Sequence, residues 1–124
     1  MHSVIDEVYR MFKIAADIQE TKLIYNITSS FPQYVKGDKT RLQQVLVNLI
    51  NNALKFTANT GFIKIYASYL REEEKILIKV QDTGKGISKE DQKLIFKKFG
   101  KLQDVHKLNN KGVGLGLIIC KELC

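Results

Sequence analysis

The sequence predicts an α+β fold, a two-layer sandwich in which helices cover one face of a mixed, mostly antiparallel sheet. Three observations carry that expectation. Residues 41–57, RLQQVLVNLINNALKFT, have helical periodicity with an apolar side. Residues 62–81 hold two strand-like runs, with Ile63, Ile65, Ala67 and Tyr69 on one face of the first and Ile76, Ile78 and Val80 on one face of the second, separated by a charged turn, which is the pattern of an antiparallel hairpin. The remaining segments follow the order helix, strand, helix, hairpin, helix, loop, helix, without repeats or low-complexity linkers.

The chain has 124 residues, of which 44% are hydrophobic, so one domain with a real core is expected. A single Pro and eight Gly argue against disorder. No apolar run is long enough to span a bilayer, and the N-terminus lacks a signal-peptide layout. The formal charge of +7 attracts anions in general. The lysines are scattered and no basic run alternates with aromatics, so nucleic-acid binding is not expected. Cys120 and Cys124 have no second ligand pair, which disfavours zinc and favours reduced thiols.

Residues 3–20 read as a helix with Ser3 as cap and Val4, Ile5, Val8, Met11, Phe12 and Ala15 on its core side. Lys22–Ile27 alternates and reads as a short strand, followed by a loop around Pro32. Asp38 caps the central helix. On that helix Leu42, Val45, Leu46, Leu49, Ala53 and Phe56 gather as the expected core side. Arg41, Gln44, Asn48, Asn52 and Lys55 form a second stripe. Asn48, Asn52 and Lys55 are spaced by four and three and point one way. An amide oxygen can bind a hard cation and an ammonium can meet phosphate. A solvated polar face is the plainer reading of the same stripe.

Residues 57–61 read as a turn, and Phe62–Leu70 as a strand with Ile63, Ile65, Ala67 and Tyr69 on one face. After the charged turn 71–74, residues 75–81 place Ile76, Ile78 and Val80 on one face, and Asp82 continues that row toward the helices. A carboxylate beside the open glycine turn Gly84–Gly86 can accept from an exocyclic amine, as an adenine site requires. A strand-to-helix turn with Asp82 bonded to its own backbone explains the same residues. Ser88 opens a short helix over 88–96, with Asp91 three residues on. Residues 97–111 read as a mobile loop. Gly112, Gly114 and Gly116 precede a last helix, where backbone amides can cradle phosphate, although the run is neither a P-loop nor a dinucleotide fingerprint. Phe96 and Phe99 read as packing that anchors the loop base.

With all of these in order, the sequence resembles the ATP-binding catalytic domain of sensor histidine kinases, within the GHKL superfamily and its Bergerat-type fold. RLQQVLVNLINNALKFT is similar to the family's asparagine box, DTGKGI to its first glycine box, IFKKFGK to its phenylalanine box and KGVGLGL to its second glycine box. The resemblance implies that Asn52 ligates Mg2+, with Asn48 beside it and Lys55 at the phosphates. It implies that Asp82 binds the adenine amine, that Gly84 and Gly86 shape that pocket, and that Phe56 and Ile87 line it. It implies an ATP lid over 97–111 that includes Lys101. It implies that Gly112, Gly114 and Gly116 approach the phosphates, that Leu115 and Leu117 pack the end of the lid, and that Val113 belongs to the nucleotide-binding run with them.

Gyrase, mismatch-repair and heat-shock ATPases of this superfamily carry Glu where this chain has Asn48. Asn cannot act as a general base, so phosphoryl transfer to another protein is expected rather than rapid hydrolysis. The resemblance implies a histidine-bearing dimerisation domain in a homodimeric parent chain, and a response-regulator receiver domain downstream. Neither His2 nor His106 has the acceptor context, and the family domain continues into further strands. A C-terminally truncated, monomeric fragment is therefore expected, working at the cytoplasmic face and leaving a membrane anchor in the parent open.

Overall fold

A computed structural model describes residues 2–92. Its elements are α1 (His2–Ile18), β1 (Lys22–Ile27), α2 (Lys39–Phe56), β2 (Phe62–Leu70), β3 (Lys75–Asp82) and α3 (Lys89–Gln92). The sheet order is β1-β2-β3. β1 runs parallel to β2, from Lys22↔Phe62 to Ile27↔Ala67. β3 runs antiparallel to β2, from Ile63↔Asp82 to Leu70↔Lys75. The sheet is therefore mixed, with the α2 crossover joining its parallel pair, as a parallel connection requires.

Both strands and helices bury one side only, which makes the two layers. Leu23, Ile63, Ile65 and Ala67 of the sheet meet Val4, Ile5, Val8, Phe12 and Ala16 of α1 and Leu46, Ile50, Ala53 and Leu54 of α2. Ile76, Ile78 and Val80 pack against this core from β3. The hairpin turns through a short 3-10 segment, Arg71–Glu73, and Glu74 takes a left-handed conformation with φ 51° to reverse the chain.

Two helix expectations need correction. α1 starts at His2, so Ser3 lies within its first turn and is not its cap. Packing decides this: each buried Ile, Val or Phe contributes about 1.5–3 kcal/mol, against roughly 1 kcal/mol for a cap. The buried row is Val8, Phe12, Ala16, each four apart, whereas Met11 is 55% exposed and Ala15 is exposed with it. In α2, Ile50 and Leu54 join Leu46 and Ala53 in the core. Val45, Leu49 and Phe56 are only half-buried. The core face of α2 is thus rotated away from the stripe bearing the asparagines, and the apolar residues next to that stripe line an exposed flank.

Asp38 caps α2 as expected, accepting from the Arg41 N–H at 3.1 Å. β3 extends one residue beyond expectation, to Asp82. The described part of the next helix is Lys89–Gln92, and the Gln92 N–H bonds Ser88 O at 2.9 Å, which puts Ser88 at the helix opening. The rest of that helix, the loop over 97–111 and the glycine run with its helix lie outside the described residues.

Candidate functional site

The asparagine flank of α2 ends where the turn after β3 begins, and the two are joined by close backbone packing. Asn48 and Asn52 are half-buried, one turn apart, and Lys55 is exposed in the last turn. A cation there is favoured by the negative end of the helix dipole. The helix stops at Thr57, whose backbone is extended and whose N–H bonds Ala53 O at 2.9 Å. Gln19, the residue that follows α1, holds this end, its Nε2 donating to Leu54 O at 2.9 Å and to Thr57 O at 2.7 Å. These are the carbonyls that a helix terminus leaves without internal donors.

The turn itself is fixed by two glycines and two side chains. Asp82 Oδ1 accepts from the Gly84 N–H at 2.7 Å. A Cβ on Gly84 would lie 2.7 Å from Phe56 O and 2.7 Å from Asp82 Oδ1, so only glycine fits under the end of α2. Gly86 has φ +74° and open space around it, a backbone that L side chains rarely adopt. Thr83 Oγ1 accepts from the Phe62 N–H at 2.9 Å and sits 2.7 Å from where a Gly61 Cβ would be. Thr57 Cγ2 would be 2.4 Å from the same Cβ. The start of β2, the end of β3 and the end of α2 are therefore one knot, with Asp82 at its rim.

Alternation holds for Asp82, which pairs with Ile63 on the helix-facing side. Burial does not follow, since Asp82 is exposed. It lies level with the last residue of α2, where the helical layer ends and leaves the carboxylate uncovered. The bond to Gly84 is the local backbone bond that the plainer reading of this turn predicts; it uses one carboxylate oxygen of the two.

Phe56 is the second meeting point. The ammonium groups of Lys55 and Lys85 each lie 5.3 Å from its ring centroid, within cation–π range. Ile87, 49% exposed, follows the turn, and its carbonyl accepts from Gln92 Nε2 at 2.9 Å. The structure thus brings together Lys55, Phe56, Asp82 and Gly84, with Asn48 and Asn52 on the preceding turns of the same helix. Lys101, Gly112, Val113, Gly114, Leu115, Gly116 and Leu117 lie outside the described residues. Sequence reasoning missed Gln19, Gly61, Thr83 and Lys85. Only Lys85 carried a local signal, through its place between two glycines; the others act across the fold.

Among the described residues no group of three or more His, Cys, Asp or Glu could hold a metal ion. An amide oxygen such as that of Asn52 is of the class that hard cations accept as a ligand. A surface concavity of about 460 Å³ between α1 and β1, lined by Tyr9, Lys13, Asp17 and Lys22 among others, contains none of the predicted site residues. Among the described residues no helix is long and apolar enough to cross a membrane.

Comparison with known proteins agrees with this fold. Residues 37–124 match the family described as histidine kinase-, DNA gyrase B-, and HSP90-like ATPase. The chain is 35% identical over 125 residues to the signal transduction histidine-protein kinase BarA of Escherichia coli, covering 99% of this chain and 14% of BarA. It superposes on the nucleotide-free catalytic domain of the histidine kinase ThkA with a TM-score of 0.81 and 30% identity, covering 99% of this chain and 75% of that one. Full-length ShkA in complex with AMPPNP matches with a TM-score of 0.81 and 27% identity, over 98% of this chain and 24% of ShkA. ThkA in complex with the response regulator TrrA matches with a TM-score of 0.68 and 27% identity, over 87% of this chain and 32% of that one.

Proposed function

Since the chain belongs to the histidine kinase-, DNA gyrase B-, and HSP90-like ATPase family, as an ATP-binding catalytic domain of sensor histidine kinases, we propose that it binds Mg-ATP and donates the γ-phosphoryl group to a histidine on a separate dimerisation domain. The observation that carries this reading is the knot at Gly84: it fixes an exposed carboxylate, Asp82, beside the flank of Asn48, Asn52 and Lys55.

Each residue has a defined task. Asp82 accepts from the adenine amine with the oxygen that the turn does not use, and Phe56 and Ile87 form apolar walls. Asn52 contributes one oxygen to magnesium, Asn48 stands beside it, and Lys55 meets the phosphates. When bound, magnesium supplies neutralisation of phosphate charge. In the transfer, the bond between the γ-phosphorus and the ADP oxygen breaks as a bond to the imidazole nitrogen forms, and ADP leaves. This chain's contribution is positioning and electrostatics, since Asn48 has no basic group with which to activate water. To the phosphates we also assign the glycine run 112–116 and Lys101, on their resemblance to the family's second glycine box and lid.

The BarA match covers 14% of that protein, and the ThkA–TrrA complex, between a histidine kinase and a response regulator, supports a response regulator among the proposed partners. They are a dimerisation domain that presents the histidine and a receiver domain that takes the phosphoryl group onward, both reached at the cytoplasmic face. The test is to mix this chain with the dimerisation domain of its parent and labelled ATP. Acid-labile, base-stable phosphohistidine that disappears with Asn52→Ala is expected. Binding of ATP without any transfer would reassign the chain as a regulatory nucleotide-binding module, and rapid release of phosphate to water would reassign it as an ATPase.

A further inference from the structure

The sheet has a second face, turned away from the helices. The two-residue period of the strands and their register assign to this face Lys22, Ile24 and Asn26 of β1, opposite to the buried Leu23, together with Phe62 and alternate residues of β2 and Lys75 and alternate residues of β3. These outward positions include Lys22, Lys64, Lys75 and Lys79 and no Asp or Glu. The pairings Lys22↔Phe62, Lys64↔Gln81 and Tyr66↔Lys79 set three of the lysines on a diagonal. Each step crosses one strand and advances two residues, which spaces the Cα atoms by about 8 Å. Like charges on neighbouring strands repel, and no carboxylate of the face offsets them. Half-exposed apolar groups lie beside the diagonal, with Phe62 36% and Leu77 49% exposed. Beyond it the hairpin tip carries Glu72, Glu73 and Glu74, all exposed, and Lys75 Nζ pairs with Glu73 Oε2 at 3.0 Å. The face is thus bipolar, basic across its middle and acidic at one end.

We propose that this outer face docks an acidic segment of a partner protein, whose carboxylates meet the Lys22–Lys64–Lys79 diagonal and whose neutral or basic border meets the hairpin tip. Charge complementarity selects the occupant. Single-stranded nucleic acid needs open aromatic rings for stacking. Here the outward aromatics are Phe62, 36% exposed, and Tyr66, whose ring centroid lies 4.5 Å from the Lys64 ammonium, and β1 and β3 add none, so the face has no row of rings for successive bases. An anionic bilayer would bring its headgroups against the glutamates of the tip as well as the lysines. The surface is separate from the nucleotide site, because Asp82 belongs to the inward row, and the inference holds whether or not phosphoryl transfer does.

The test uses the 124-residue chain and a short fluorescent peptide of alternating Glu and Val, followed by anisotropy. Folding of each variant is checked by circular dichroism. The pair Lys64→Glu with Lys79→Glu is expected to weaken peptide binding about tenfold or more. The pair Lys36→Glu with Lys89→Glu changes the net charge equally off this face and is expected to leave binding within about twofold. Where charge reversal unfolds the chain, Lys64→Gln with Lys79→Gln removes the charge and serves in its place. Equal losses in both pairs would overturn the proposal, as would the absence of peptide binding by the folded chain. Tighter binding to a thymidine oligonucleotide, or to phosphatidylserine–phosphatidylcholine vesicles, would overturn it in favour of that occupant.

Discussion

Phe56 closes α2, Gly84 follows β3, and their backbones touch: a Cβ on Gly84 would stand 2.7 Å from the Phe56 carbonyl oxygen. That contact holds the turn bearing Asp82 against the helix bearing Asn48 and Asn52. Two segments about thirty residues apart in sequence are thereby held side by side, as the proposed nucleotide site requires.

Gly84→Ala tests the contact. The added methyl meets backbone and the Asp82 carboxylate, so one of the segments has to shift, at a cost of about 1–3 kcal/mol. The expected outcome is a lower Tm together with weaker ATP binding, read by scanning calorimetry and titration. A Tm and an affinity equal to those of the parent chain would show that the turn and the helix move independently.

Asn52→Ala separates metal from fold. Asn52 is half-buried on the flank of α2 and outside the core, so thermal stability should change by no more than about 0.5 kcal/mol. ATP affinity in magnesium is expected to fall about tenfold or more, while the residual affinity in chelator stays the same. An equal loss with and without magnesium would assign Asn52 to the nucleotide itself.

Neighbouring apolar residues of α2 should behave differently. Ile50 is fully buried, and Ile50→Ala is expected to cost about 2–5 kcal/mol by urea denaturation. Leu49 is half-buried on the asparagine side, so Leu49→Ala is expected to cost less and to weaken nucleotide binding more. The reverse order would put the core face where periodicity alone first placed it.

Gln19→Leu removes the donor of two carbonyls at the end of α2. Leaving both without a partner should cost about 1–3 kcal/mol, measured by urea denaturation. A stability equal to that of the parent chain would mean that water replaces the amide at no cost.

Much of this arrangement was legible in the sequence, and the parts that were not share a physical reason. Lys22–Ile27 and Phe62–Leu70 match the expected strands residue for residue, because alternation and flanking turns are local signals. The Asp38 cap was legible for the same reason. Helix phase was less so: α2 is apolar over more than half its circumference, and periodicity does not say which part of that arc faces the sheet. Ile50 and Leu54 lie in the α2 core outside the arc that periodicity suggests, and in α1 the buried residue is Ala16 and not the expected Ala15. The direction of Asp82 was readable from alternation, but its exposure depends on where a different element ends. Gln19, Gly61 and Thr83 were invisible for the same reason, since each acts on residues distant in sequence.

Magnesium-dependent binding of ATP and ADP to the 124-residue chain, with Asp82→Asn beside it, tests the account most directly. Asn keeps an oxygen that can accept from Gly84, so the turn survives. Its second group is then an NH2 that opposes the adenine amine. Calorimetric binding by the parent chain that is lost in the folded variant is the predicted result. Equal binding by both, or none by a folded parent chain, would contradict an adenine site at Asp82.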